Sequence, residues 1–232
     1  MRTALEIAGL SKDYRGLRPL RIQQLTVGAE DTVAILGFDQ ASAEVFVNLV
    51  TGATLPDTGV VHVFDQPTSA IADGTEWLHT LDRFGIVTER AVLLDQLTVL
   101  QNLVMPFTLE IEPPPDAIRQ RAEAIALEVG LPTDRWPLRV ADLDGDGRAR
   151  VRLGRALAAG PALLLLEHAS AGVAREAVPA FGASVHQVAA ARRIAVVAAT
   201  ADDTFARAAA TRVLTLEPAS GRLVERRRGW FK

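Results

Sequence analysis

Apolar residues cluster in four short runs along the chain: Thr32–Leu36, Phe84–Val87, Ala162–Leu166 and Ile194–Ala199. Each run is almost continuously apolar. Strands with one solvated face alternate, whereas parallel strands covered on both faces show unbroken runs of this kind. Between them lie segments rich in Ala, Arg, Glu and Leu that predict helices: Pro115–Val129, Arg148–Ala158 and Arg175–Ala191. Strands that alternate with helices indicate an α/β fold built on a mostly parallel sheet. The N-terminal part has a different texture. Leu5–Ile7, Leu20–Val27 and Val60–Phe64 read as short antiparallel strands, and Val213–Leu216 as a late strand followed by a turn over Glu217–Gly221. Three consecutive prolines, Pro113 to Pro115, place a loop inside a helical lobe between about Leu97 and Arg148.

Composition narrows the function classes. The 232 residues suffice for one large domain. The net charge of -3 gives no global basic field for nucleic acid. With no cysteine, disulfides, thiolate nucleophiles and cysteine metal sites are excluded. Met1–Leu10 is too polar for a signal peptide, and the apolar stretch Pro161–Leu166 is far short of a membrane span. The chain reads as soluble and cytoplasmic, and a membrane link requires a partner.

The candidate chemistry sits in a series of motifs. Val33-Ala-Ile-Leu-Gly-Phe-Asp-Gln-Ala-Ser-Ala-Glu-Val45 follows the first buried run. Gly85–Leu94 and Leu97–Leu103 come next, then Leu143-Asp-Gly-Asp-Gly147 with its helix, then Pro161–Ala174, then Val196–Asp202. In order and spacing this series resembles the ATP-binding cassette (ABC) ATPases over essentially the whole chain. The resemblance implies a P-loop ABC-type cassette: an α/β core over 1–94 and 149–224 with an antiparallel β part, a helical subdomain over 95–148, and a mobile tail over 225–232. It also implies ATP and Mg as cofactors, an integral membrane permease and a second cassette as partners, and a place on the inner face of the cell membrane. No nucleic-acid partner is expected.

The residues at the chemical positions depart from the family's pattern. In that pattern glycines let backbone amides approach phosphates at a helix N-terminus, a lysine reaches the β- and γ-phosphates, and a hydroxyl holds magnesium. Here Gly37, Phe38, Asp39, Gln40, Ala41, Ser42, Ala43, Glu44 and Val45 form the turn and helix start. Gln40 and Ser42 stand at glycine positions, Ala43 at the lysine and Glu44 at the magnesium hydroxyl. Asp39 and Glu44, with Ser42 as a cap, are expected to satisfy the empty helix N-terminus from within. Glu89 stands for the glutamine of the segment after the second run. In the signature motif Leu143, Asp144, Gly145, Asp146 and Gly147 put acids where a serine and a glycine belong. Glu167 stands for the metal-side aspartate and could ligate a metal. His168 stands for the catalytic glutamate, Ala174 for the final aspartate and Ala201 for the switch histidine.

Two readings of His168 stay open: a general base near its ordinary pKa of about 6.5, or a loop histidine with no substrate nearby. Tyr14, the sole tyrosine, stands where the family stacks adenine, or is simply packed. The expected function is an ABC transporter ATP-binding subunit that has become a structural or regulatory pseudo-ATPase. Two alternatives are an active hydrolase with an unusual site and a soluble adaptor outside transport. The tail from Arg226 to Lys232 mixes cations with aromatics, which leaves two readings: a contact with anionic lipid headgroups or a membrane partner, or an ordinary solvated terminus.

Overall fold

The computed structural model describes residues 2–71 and 74–225. In chain order it contains β1 (Thr3–Lys12), β2 (Leu20–Gly28), β3 (Thr32–Leu36), α1 (Gln40–Val50), β4 (Thr58–Val63), β5 (Gln66–Pro67), α2 (Gly74–Leu81), β6 (Phe84–Thr88), α3 (Val99–Val104), α4 (Asp116–Glu128), α5 (Gly145–Leu157), β7 (Leu163–Glu167), α6 (Val178–Arg192), β8 (Ala195–Thr200), α7 (Asp203–Ala209), β9 (Arg212–Glu217) and β10 (Arg222–Glu225).

Two sheets result. One is antiparallel, with strand order β2-β1-β4-β5; the other runs β10-β9-β3-β8-β7-β6 and is parallel except at β10. The four apolar runs are β3, β8, β7 and β6, the last at the sheet's edge, and each packs against a core on both faces. In β3, Ala34 and Leu36 face one core while Val33 and Ile35 face the other, and in β7 the leucines split the same way. One core lies against α3 to α7, the other between the two sheets and α1. This double burial is why alternation is absent from the sequence.

The elements match the expected ones closely but not at their ends. β1 is far longer than Leu5–Ile7 because it pairs with β2 on one side and β4 on the other. α5 starts at Gly145 rather than Arg148, since the Asp144 side chain accepts from Gly147 N and caps it there. α6 starts at Val178 rather than Arg175, with a proline in its first turn. Two short helices, α2 with eight residues and α7 with seven, are not among the expected elements. The expected lobe boundary at 148/149 falls inside α5, which is continuous across it. Glu225, assigned to the mobile tail, is the last residue of β10, and 226–232 lie outside the described residues. Both readings of the Arg226–Lys232 tail therefore concern residues outside the described ones. Among the described residues no helix is long and apolar enough to cross a membrane.

Arg150 ties the helical part to the core. It is 8% exposed and donates to Asp146 Oδ2 at 2.7 Å, to the Val129 carbonyl at 2.6 Å and to Ser184 Oγ at 3.0 Å. It thus joins the end of α4 to α6 through α5. Arg150→Ala leaves a carboxylate and a buried carbonyl without this donor, and is expected to cost about 2–4 kcal/mol in urea unfolding.

Candidate functional site

The parallel strands β3, β8, β7 and β6 end side by side, with Thr88, Glu167 and Ala199 in register across three of them. The crevice beyond the carboxyl ends of such strands is where open α/β sheets bind ligands. β3 leads into Gly37, whose φ of 102° is reached readily only without a side chain. A β-carbon there would also lie 3.0 Å from the Leu216 carbonyl oxygen. The turn then delivers α1 with its N-terminus at this edge.

That N-terminus is closed by the chain itself. Asp39 Oδ1 accepts from Ser42 N at 2.8 Å, and Ser42 Oγ accepts from Asp39 N at 3.0 Å. The result is a complete capping box, so two amides at this end of the helix are already used. Ser42's hydroxyl and amide hold the Asp39 carboxyl below the usual aspartate range, and His168 adds to the effect. Ala43, at the lysine position, is fully buried. Phe38 packs at 5.2 Å against Phe46, so it faces the core rather than the crevice. Val45 packs against the same core and is no part of the cradle.

Glu44 does not serve the helix N-terminus as the sequence suggested. It pairs with Arg90 Nη1 at 2.6 Å. The same guanidinium reaches Glu167, with Nη2 to Oε2 at 2.6 Å and Nε to Oε1 at 3.1 Å. Gln40 Nε2 donates to Glu167 Oε1 at 2.7 Å. Glu167 has no exposure at all, so its charge is met by a two-pronged arginine and an amide rather than by water. The carboxylates in turn raise the Arg90 pKa, Glu167 through its hydrogen bond being the larger cause.

Arg90 was missed in the sequence, although it adjoins Glu89. The readable signal was a demand: acids at two cation-facing positions, Glu44 and Glu167, require a nearby cation, and Arg90 follows the second strand by two residues. Glu89 itself points elsewhere. A β-carbon on Gly172 would lie 2.5 Å from its Oε1, which places that carboxylate against the loop after β7.

The remaining residues divide between packing and capping. His168 has φ 44°, lines a cleft of about 510 Å³ and shows no hydrogen-bond partner at Nε2. Beside it, Ser170 Oγ donates to Asp202 Oδ2 at 2.9 Å, while Asp202 Oδ1 caps α7 through Phe205 N. No role for this pair could be read from the chain alone. The Tyr14 ring folds back over Gly16 beside Asp39 and Ser42; burial raises its hydroxyl pKa, Asp39 adds to this and Ser42 opposes it. With Gly37 and Ala41 it borders a second cleft of about 440 Å³.

At the signature positions Asp144 accepts from Gly147 N at 2.7 Å and faces Arg135 Nη1 at 3.2 Å. Its carboxyl is held below the usual range, first by that amide and then, against burial, by Arg135. Asp146 is bound to Arg150. A β-carbon on Gly145 would fall 1.7 Å from the Gly172 carbonyl oxygen, so only glycine permits this approach. Leu143 is buried under the start of α5. Among the described residues no three His, Asp or Glu side chains form a group that could hold a metal ion.

Comparison with known proteins bears on this arrangement. The chain is 30% identical over 202 residues to the lipoprotein-releasing system ATP-binding protein LolD of Pseudomonas syringae pv. tomato, covering 87% of each chain. It belongs to the ATP-binding subunits of ABC transporters. It is also 30% identical over 177 residues to the phosphonates import ATP-binding protein PhnC 1 of Rhodopseudomonas palustris, over 73% of this chain and 62% of that protein. No family model matches the chain. Among solved structures, the dimeric ATP-binding cassette MJ0796 bound to ADP and Pi superposes with a TM-score of 0.75 at 20% identity, covering 98% of this chain and all of that one. CbiO1 from Clostridium perfringens gives 0.80 at 19% identity, covering 97% and 88%. The cassette fold expected from the motif series is therefore the fold found.

At this edge of the sheet the helix N-terminus is capped, Ala43 is buried, and the Glu167 carboxylate is taken by Arg90 and Gln40.

The caps give a pH signature. Asp39 and Asp144 both have depressed folded-state pKa values, so each stabilises the fold above the ordinary aspartate pKa and loses that contribution as pH falls through its lower folded value. Asp39→Ala is expected to cost about 1 kcal/mol at pH 7, and to flatten the loss of stability below about pH 4 that urea unfolding of the unchanged chain is expected to show.

Proposed function

We propose that this ABC subunit is a non-hydrolysing partner of a membrane permease, paired with a second cassette and serving a structural or regulatory role. The observation that carries the reading is the self-capped N-terminus of α1, with Asp39 and Ser42 holding the amides that a triphosphate would need. Each carboxylate held about 4 Å from a phosphate costs roughly 4 kcal/mol at an effective dielectric near 20, about a thousand-fold in affinity. The missing lysine adds to that penalty. On the signature side, Asp144 and Asp146 would meet the nucleotide of a partner cassette with acids where a hydroxyl and amides serve. Both halves of a shared site are thus weakened in the same direction.

The expected result is simple to measure. Isothermal titration of the purified chain with MgATP gives no saturable heat up to millimolar nucleotide, and phosphate release stays at the buffer rate. Micromolar binding contradicts the proposal. A second reading, hydrolysis through Glu167 and His168, draws on the unpartnered His168 Nε2. It requires turnover that His168→Ala abolishes.

The permease contact rests on surface rather than on nucleotide chemistry. CbiO1 is described as part of a transporter complex, and LolD, PhnC and MetN proteins are named as ATP-binding parts of release or import systems. In the family resemblance, the 89–94 segment receives the permease's coupling helix. Here Val92 is 73% exposed and Leu94 39% exposed, an apolar pair on a segment whose carbonyls are held by Arg152 and Arg155. Val92→Glu is expected to abolish co-purification of a permease from detergent extract while leaving the melting temperature unchanged. Retention of the permease would place the contact elsewhere.

A further inference from the structure

We infer that the Arg90 guanidinium is a tethered substitute for the divalent cation of the family, and that it permanently fastens the segment after β6 to the edge of the core. The inference rests on the non-hydrolysing reading above and names the device that keeps the cassette assembled without nucleotide.

Two elements supply the groups around the Arg90–Glu167 pair. Gln40 and Glu44 sit one turn apart on α1, and Glu167 ends β7. The Arg90 guanidinium lies within hydrogen-bonding distance of Glu44 Oε1 and of both Glu167 oxygens, and the Gln40 amide donates to Glu167 Oε1. A fully buried carboxylate with a second carboxylate nearby repels itself open unless a cation joins them. A metal ion would do this by coordination. The planar fork of arginine does it by hydrogen bonds, two prongs to Glu167 and the third nitrogen to Glu44; a lysine's point charge cannot copy that geometry. The cation arrives on the protein's own chain, so no ligand is needed and none can dissociate.

The mechanical consequence follows from where Arg90 is attached. From the other side, Arg152 donates to the Glu89 and Ala91 carbonyls, Arg155 to the Val92 carbonyl and Arg148 to Asp95. The 89–95 segment is therefore gripped by α5 outside and by α1 and β7 inside. Removing Arg90 releases only the inner grip, so the variant retains three arginine contacts and its apolar core.

Removal should unmask the cation site. Wild-type protein is expected to bind no Mn2+ at millimolar concentration, read as loss of the free-ion electron paramagnetic resonance signal. Arg90→Ala should bind one Mn2+ with a dissociation constant on the order of 10⁻⁴–10⁻³ M, the range of weak oxygen-ligand cation sites. It should melt lower than wild type and regain melting temperature as Mn2+ is added, with no such gain in wild type. Hydrogen exchange over 88–95 should speed up in Arg90→Ala and slow again with Mn2+. Arg90→Lys should keep Mn2+ out, and Arg90→Ala combined with Glu44→Gln should lose it again. If Arg90→Ala aggregates, Arg90→Met keeps an unbranched apolar stem without the charge and is read by the same assay. A folded, charge-free variant that takes up no Mn2+, or wild type that binds it as well as the variant does, overturns the inference. Nucleotide binding by wild type would sink the non-hydrolysing reading instead, and leaves these metal readouts to stand or fall by themselves.

Discussion

A carboxylate with no solvent exposure at the end of a central strand is the constraint around which this crevice is organised. Glu167 cannot remain charged in that position without a cation and donors close by. Arg90 and Gln40 meet the need, and in doing so they fix the orientation of α1, the end of β7 and the segment after β6. Glu44, which would otherwise repel Glu167, becomes a second anchor for the same guanidinium. Of the three charges only Glu167 is buried, so it is the one that depends on the set; Arg90 and Glu44 each keep a solvated side.

The same logic recurs at helix ends. Asp39 caps α1, Asp144 caps α5 and Asp202 caps α7, each accepting a backbone amide. Helix N-termini carry partial positive charge and orphan donors, which suits them to bind anions. In this ABC subunit the anions are side chains of the chain itself. At the α1 and signature positions, groups that in the family meet phosphate are therefore occupied locally. On the proposed non-hydrolysing reading, these internal contacts take the place of those a ligand would supply.

Much of this was legible in the sequence. The doubly buried strands announced themselves as unbroken apolar runs, and the order of motifs identified the cassette fold. The Asp39–Ser42 cap was also readable, since an aspartate three residues before a serine at a helix start is a local signal. Glu44's actual partner was not, because it lies on a different element and only the folded sheet edge brings Arg90 to it. Nor could the position of α5 within the lobe be read, since its first turn depends on the Asp144 cap and on the close approach of Gly145 to Gly172. The Ser170–Asp202 contact joins two loops that are adjacent only because β7 and β8 pair in register. Local chemistry could be read from the chain; contacts across the sheet edge could not.

Crystals of this protein grown with excess Mn2+ and a non-hydrolysable ATP analogue test the central claim most directly. Anomalous scattering would locate any metal without reference to side-chain fitting. The account predicts no manganese peak beside Glu167, with the Arg90 guanidinium still forked onto that carboxylate and no triphosphate density over Asp39–Ser42. A manganese peak coordinated by Glu167, with Arg90 swung aside and phosphates seated on the α1 amides, would contradict it.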